Sequence, residues 1–384
     1  MTQRTSQTDS RRDFLKTSAV AAGATLATGL ISNGAYAAGS DKIRVGLIGC
    51  GGRGTGAAVQ ALMADQQVRL VSMGDAFADR LQESLKELNG KKKLEGKIDV
   101  PKERQFVGFD AYKKVIDSDV DVVLLTTPPH FRPMHLKAAI EAGKHVFAEK
   151  PVAVDAAGVR SVLESCEQAR QKKLAVVSGL CWRYHHGKQA TIKQVQDGKI
   201  GEIVTMQCTY NTGALWNKPR QKGWSDMEWQ MRNWLYFAWL SGDHNVEQHI
   251  HSLDKMAWAM KDEYPVSAVG VGGRQVRISP AFGHIYDHHA VVYEFKNGVK
   301  LFSCCRQWDK TPKDVTDHIM GTEGTCHVMK HSIRDRKGKR VWRHKYEENE
   351  VDDMYQNEHN ELFKSIRAGE PINNGEYMAK STLM

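Results

Sequence analysis

The run IRVGLIG at 43–49 leads straight into Cys50-Gly51-Gly52-Arg53-Gly54, and a helical pattern at about 53–64 follows. This strand, GxGxxG, helix order limits the chain more than any other feature. The first glycine makes a tight turn, the second lets the backbone approach a pyrophosphate, and the third lets helix and strand pack closely. The phosphates then sit at the positive helix terminus. Gly49, Gly51, Gly52, Arg53 and Gly54 are therefore expected at a dinucleotide. The next β-rich run ends at Asp75, 21 residues beyond Gly54, where an acid meets ribose hydroxyls and repels a 2′-phosphate. Ala76 and Phe77 follow with no immediate arginine, so NAD is expected over NADP.

Further runs at 120–127, 144–150 and 173–179 alternate with helical patterns at about 78–89, 132–142 and 155–171. That alternation predicts an α/β Rossmann domain with a parallel sheet over 41–182. Beyond Arg183 the texture changes. A linking helix near 185–204 precedes strand-like runs with few helices between them, namely EIVTMQCTY, VSAVGVGG, HHAVVYEF, VKLFSCCRQW and DHIMGTEGTCHVMK. One helix near 244–260 interrupts them. Residues 183–384 are expected to form an α+β substrate and oligomerisation domain with a large, mostly antiparallel open sheet. The final GEYMAKSTLM is a helical pattern with no Gly or Asn stop, so the last helix is not assumed complete.

The chain has 384 residues, 41% of them hydrophobic, and a net charge of +9. The basic residues are spread out apart from Lys91–Lys93 and KHSIRDRKGKRVWRHK at 330–345. Gly338 marks a turn in that segment, which reads as a solvated hairpin and not a nucleic-acid surface. Seven cysteines, with no CxxC pair, fit neither a disulfide framework nor a zinc pattern.

Ahead of all this stand Arg11-Arg12, then Phe14-Leu15-Lys16, an Ala-rich stretch from Ala19 to Ile31, and Ala35-Tyr36-Ala37. These resemble a twin-arginine export signal over 1–37. The stretch is short of the roughly 20 apolar residues that span a bilayer. The twin-arginine export machinery and a periplasmic or otherwise exported location are the corresponding expectations. Reduced, buried thiols suit a protein that folds before export.

TTPPHFRPMHLKAAIEAGKHVFAEKP (126–151) and GTEG (321–324) resemble the Gfo/Idh/MocA oxidoreductases. The resemblance implies that Glu149-Lys150-Pro151 is the EKP signature, with Lys150 facing the nicotinamide, and that Thr127 and His130 lie at the cofactor. Pro129 stands where the family often has Asn. It also implies an acid and a histidine four apart, here Glu247 and His251, with Asp254 three further on. Spacing of four places Glu247 and His251 one turn apart on one helical face. Oxidising a secondary alcohol needs a base for the hydroxyl proton and a partner for the developing charge. His251 is expected as base, Lys150 as electrostatic partner and Glu247 as orienting group.

Arg183 and Tyr184 follow the last Rossmann strand and are expected to meet the substrate, as is His288. A domain-junction role remains open for Arg183. WSDMEWQMRNWLYFAWLSGD (224–243) reads as a packed interdomain or subunit surface, or as a platform for a sugar ring. Histidines at 244, 249 and 251 and at 284, 288 and 289 invite a metal reading. Within the second group the spacing belongs to a strand, where i and i+4 lie far apart, so no metal is expected.

The resemblance implies an NAD(P)-dependent oxidoreductase acting on a sugar or cyclitol, with a sugar, polyol or glycoside as substrate and a homo-oligomeric assembly. Export implies a tightly bound cofactor, since no pool exists outside to exchange with. A redox-neutral glycoside hydrolase and a non-catalytic sugar or dinucleotide sensor are the alternatives.

Overall fold

The computed structural model describes residues 41–348 and 350–384; the expected export signal lies outside them. Among the described residues, no helix is long and apolar enough to cross a membrane.

Six short strands form a parallel sheet: β1 (Ile43–Ile48), β2 (Val68–Asp75), β3 (Gln105–Val107), β4 (Val122–Leu125), β5 (His145–Ala148) and β6 (Val176–Ser178). Their order is β3-β2-β1-β4-β5-β6. The order reverses at β1, so a crevice opens between the carboxyl ends of β1 and β4, which pair in register from Val45 with Val122 to Ile48 with Leu125. These strands are apolar on both faces because helices cover both. One face packs Val123, Leu125 and Val146 against Leu136, Ile140 and Val162. The other packs Val45, Leu47 and Leu124 against Ala57, Ala61 and Leu62.

Eight strands make the second sheet: β7 (Ile203–Thr212), β8 (Ser267–Gly273), β9 (His288–Glu294), β10 (Lys300–Gln307), β11 (Asp314–Gly321), β12 (Gly324–His327), β13 (Ser332–Asp335) and β14 (Arg340–Arg343). The order is β14-β13-β12-β11-β7-β10-β9-β8. All pairs are antiparallel except β7 with β10. Gly338 turns the β13–β14 hairpin at φ 81°, as its position in the basic segment predicted. Met206 and Cys208 of β7 bury against Leu253 and Met256 of the helix Ile250–Ala259.

Residues 183–384 do not all belong to the second half. The helices Met354–Ala368 and Gly375–Leu383 return to the parallel sheet. Leu362, Phe363 and Ile366 join the core beside β1, and Met378 and Ala379 join the opposite one. Val176 N–H donates to the Ile372 carbonyl at 2.8 Å. Each buried aliphatic or aromatic side chain contributes about 1.5–3 kcal/mol, so the nucleotide-binding half is finished only by the end of the chain.

Candidate active site

The glycine turn after β1 has the geometry its sequence demands. Gly49 sits at φ 98°, and a Cβ there would lie 2.6 Å from the Thr127 nitrogen. A Cβ on Gly54 would lie 2.0 Å from the Gly49 carbonyl oxygen, so only glycine lets the helix Gly52–Ala64 approach this closely. At Gly51 and Gly52 a Cβ would meet nothing within 4 Å. Those two positions border a cleft of about 500 Å³ that also contains Asp75, Thr126 and Thr127. No side chain caps the helix start, so its N-terminal N–H groups remain for an anion. This cradle fits a dinucleotide pyrophosphate.

Asp75 closes the far side. One carboxylate oxygen accepts the Cys50 N–H at 2.6 Å and the other accepts the Phe77 N–H at 2.9 Å. Burial still raises its pKa because desolvation disfavours the charged form. Arg80 also lines the cleft, a cation that the absence of arginine next to Asp75 did not reveal.

Thr127 is held by the Arg132 guanidinium, which donates to the Thr127 carbonyl at 2.6 Å and to the Glu149 carbonyl at 2.9 Å. Glu149, Lys150 and His130, all expected at the cofactor, do not line this cleft. Glu149 is buried and pairs with Arg53, which also reaches Glu358 at 3.2 Å. It fixes the Arg53 side chain from behind. His130 is exposed in the turn Pro129–Phe131 and sets its ring edge-on to Trp239 at 5.2 Å.

Lys150 follows β5, and its side chain is drawn to Glu247. Lys150 Nζ lies 2.9 Å from Glu247 Oε1 and donates also to the Glu247 carbonyl. Burial works against the ammonium, but Glu247 and Glu149 outweigh it and hold its pKa above the ordinary lysine value. It is a permanent cation at neutral pH. Tyr210 of β7 belongs to the same electrostatic neighbourhood: burial raises its pKa, and Lys150 pulls against that rise. Period-two alternation along β7 puts Tyr210 on the face of Met206 and Cys208, the one signal that pointed to it.

Glu247 and His251 do not share a regular turn. Residues Asn245–His249 form a π-helix, and a regular helix resumes at Ile250. This shifts the spacing that an ideal helix predicts. His251 is buried beside Trp182, ring centroids 6.0 Å apart, and its Nδ1 has no hydrogen-bond partner. Burial, then Lys150 and Lys255, push its pKa well below the usual histidine value. The imidazole is therefore neutral.

Three expected substrate residues are engaged elsewhere. Arg183 is buried in a double ion pair with Asp254 at 2.8 Å and Asp262 at 2.6 Å, with Tyr377 stacked at 4.0 Å. Tyr184 donates to Asn374 at 2.7 Å. The Arg183 side chain joins the two halves, which is the junction role left open for it, while Tyr184 packs in the core of the nucleotide-binding half. Asp254 likewise accepts from Ser381 at 2.8 Å and does not extend the Glu247/His251 site. Of the neighbouring histidines of β9, His288 bonds Asp287 at 2.7 Å while His289 approaches Asp243 and His244.

The aromatic segment carries a function its composition did not disclose. Met231, Arg232 and Trp234, with Trp216 and Lys218 just before, line the dinucleotide cleft opposite the glycines. Arg232 anchors them: it pairs with Asp79 at 2.8 Å and lies over the Phe77 ring at 4.0 Å. All seven cysteines are free, six of them buried.

A nucleotide cradle on a parallel sheet, joined to an open-sheet half whose π-helix brings Glu247 to a lysine, defines a two-domain nicotinamide oxidoreductase. Residues 43–178 match the model of the oxidoreductase family with an NAD-binding Rossmann fold, and residues 188–327 match the GFO/IDH/MocA C-terminal domain. The chain belongs to the Gfo/Idh/MocA oxidoreductase family. It is 25% identical over 304 residues to inositol 2-dehydrogenase of Serratia proteamaculans, covering 78% of each chain. It is 26% identical over 200 residues to 2,7-anhydro-N-acetylneuraminate hydratase of Escherichia coli, covering 52% of this chain and 49% of that one; the match thus spans about half of that relative. Aldose-aldose oxidoreductase from Caulobacter crescentus shares the fold, with a TM-score of 0.66 at 19% identity over 89% of this chain and 95% of that one.

Proposed function

We propose that the protein is an NAD-dependent dehydrogenase acting on a secondary hydroxyl of a sugar or cyclitol, with a cofactor that stays bound. The observation that carries this reading is the Lys150–Glu247 pair, 2.9 Å apart, next in sequence to β5, which lies two strands from β1 and its glycine cradle. A dinucleotide held by the Gly49–Gly54 turn and Asp75 would supply the hydride acceptor for the carbinol carbon. The chain's residues manage the other half of the reaction. The Lys150 ammonium donates to the substrate oxygen and stabilises the negative charge that grows as the O–H proton departs. Neutral His251 takes that proton. Glu247 orients Lys150. The family relatives named dehydrogenases support the reaction class.

Retention of the cofactor rests on the anchored aromatic segment over the cleft and on the twin-arginine motif of residues 1–37. Exported to the periplasm, such an enzyme regenerates its cofactor with a second substrate. NAD is preferred over NADP because the Asp75 carboxylate lines the cleft. The broad exposed face of β8, with Val269 and Val271 outward, supports self-association.

A redox-neutral route is the second reading, and the hydratase among the relatives favours it. There, oxidation, elimination, addition and reduction follow one another on one substrate. One experiment separates the readings. Purified protein is denatured and its released dinucleotide quantified, before and after incubation with free polyols and aryl glycosides. About one NAD per chain, converted to NADH by a polyol, supports the dehydrogenase. Aglycone release without net reduction supports the redox-neutral route. No turnover of either class, with dinucleotide bound, leaves a sensor.

A further inference from the structure

Asp243 and His244 lie just before the π-helix, and His289 lies on β9, 45 residues away. No metal was expected of either histidine group, yet folding brings one member of each group together with Asp243. We propose that Asp243, His244 and His289 bind one divalent first-row transition cation.

The donor geometry is the first ground. Asp243 Oδ1 lies 3.0 Å from His244 Nδ1 and 3.5 Å from His289 Nε2, and all three donor atoms lie within 4.8 Å of one another. Metal bonds of about 2.0–2.1 Å in a tetrahedral arrangement place neighbouring donors about 3.3 Å apart. Two imidazoles and one carboxylate suit zinc, iron, cobalt or nickel.

The second ground is a buried atom with nothing to bind. His289 Nε2 has no hydrogen-bond partner, although buried imidazole nitrogens ordinarily find one. It points at a carboxylate oxygen just beyond hydrogen-bond reach. A pair of simple hydrogen bonds to Asp243 leaves it unsatisfied, whereas a cation between the three groups satisfies it.

Third, the surroundings fix the donors. Asp243 is held at φ 76°, following Gly242 at φ 79°, and its other carboxylate oxygen accepts the Tyr286 N–H at 2.8 Å. His244 is 1% exposed, and its Nε2 lies 3.5 Å from Cys305 Sγ. Backbone outliers and π-turns gather at functional positions, and ligand histidines engage a partner through the second nitrogen. Three protein donors leave coordination positions for water or for a hydroxyl oxygen. The Glu247 N–H donates to the Asp243 carbonyl at 2.9 Å, so the cluster lies one turn from the lysine's partner. A role in holding substrate hydroxyls rests on the dehydrogenase reading; the existence of the site does not.

The test uses the full chain, stripped with a chelator and titrated with Co²⁺ in the absence of cofactor and substrate. One equivalent is expected to give saturable visible d–d bands. His289→Ala and Asp243→Asn are each expected to weaken binding by more than about 100-fold, while His288→Ala leaves it unchanged. Circular dichroism and melting temperature establish that each variant folds. Absence of a saturable spectrum in the wild type overturns the proposal, as does binding that survives in both the His289 and Asp243 variants. Because the readout needs no turnover, these outcomes are independent of whether any polyol is oxidised.

Discussion

Lys150 on the loop after β5 and Glu247 on the π-helix meet at 2.9 Å, with only 16% and 14% of their side chains exposed. The pair joins the nucleotide-binding half to the half that faces substrate. A buried ammonium with this partner is charged throughout the working pH range. Lys150→Met is expected to lower kcat by about 10²–10³ while dinucleotide content per chain stays the same. Stopped assays together with cofactor quantification after denaturation check both parts.

Gly51 and Gly54 separate binding from folding. Gly51→Val fills space that a pyrophosphate needs and meets no protein atom within 4 Å at Cβ, so bound dinucleotide should be lost with little change in apoprotein stability. Gly54→Ala drives a Cβ against the Gly49 carbonyl and should destabilise by about 1–3 kcal/mol. Chemical denaturation of the two apoproteins distinguishes them, and the reverse ranking contradicts this account of the turn.

Arg232 is the clasp of the aromatic segment over the cleft, through Asp79 and Phe77. Arg232→Ala should speed dinucleotide release roughly tenfold, the equivalent of about 1.4 kcal/mol. Asp79→Ala should do part of the same, and the double variant should be less than additive. Release rates from nicotinamide fluorescence after a chase settle it.

Acid should unfold the protein through its buried neutral histidines. Burial pushes His249 down to about 3, and drives His359 and His251 well below the histidine range. Each folded pKa lies below the unfolded value of about 6.5. Stability from these groups is therefore full above pH 6.5 and falls as pH drops toward the folded values. Each contributes a slope of about 1.4 kcal/mol per pH unit in that window. His359 packs on Phe147 with neither ring nitrogen bonded, so His359→Phe should flatten the slope by one such increment between pH 6 and 4. Urea titrations at several pH values measure it; an unchanged slope refutes the assignment.

The parallel sheet and the cradle were legible because their signals are local. A strand, three glycines and an acid at the next strand end are read along one stretch of chain, and each residue type answers a backbone need. Alternation and the scarcity of helices likewise marked the second sheet. What escaped were pairings across the chain. Arg183, next to the last Rossmann strand, was spent on Asp254 and Asp262. Glu149 turned to Arg53, and the tryptophan-rich segment became the far wall of the cofactor cleft.

By itself the sequence determined the family, five of the six strands of the nucleotide half, the glycine turn and the lysine that follows β5, because these depend on residue type and short spacing. Tertiary structure alone decided that the last two helices complete the first half, that a π-turn resets Glu247 against His251, and that Asp243, His244 and His289 share one point in space. Burial and long-range packing select those partners, and no periodicity within a segment encodes which distant side chain will arrive.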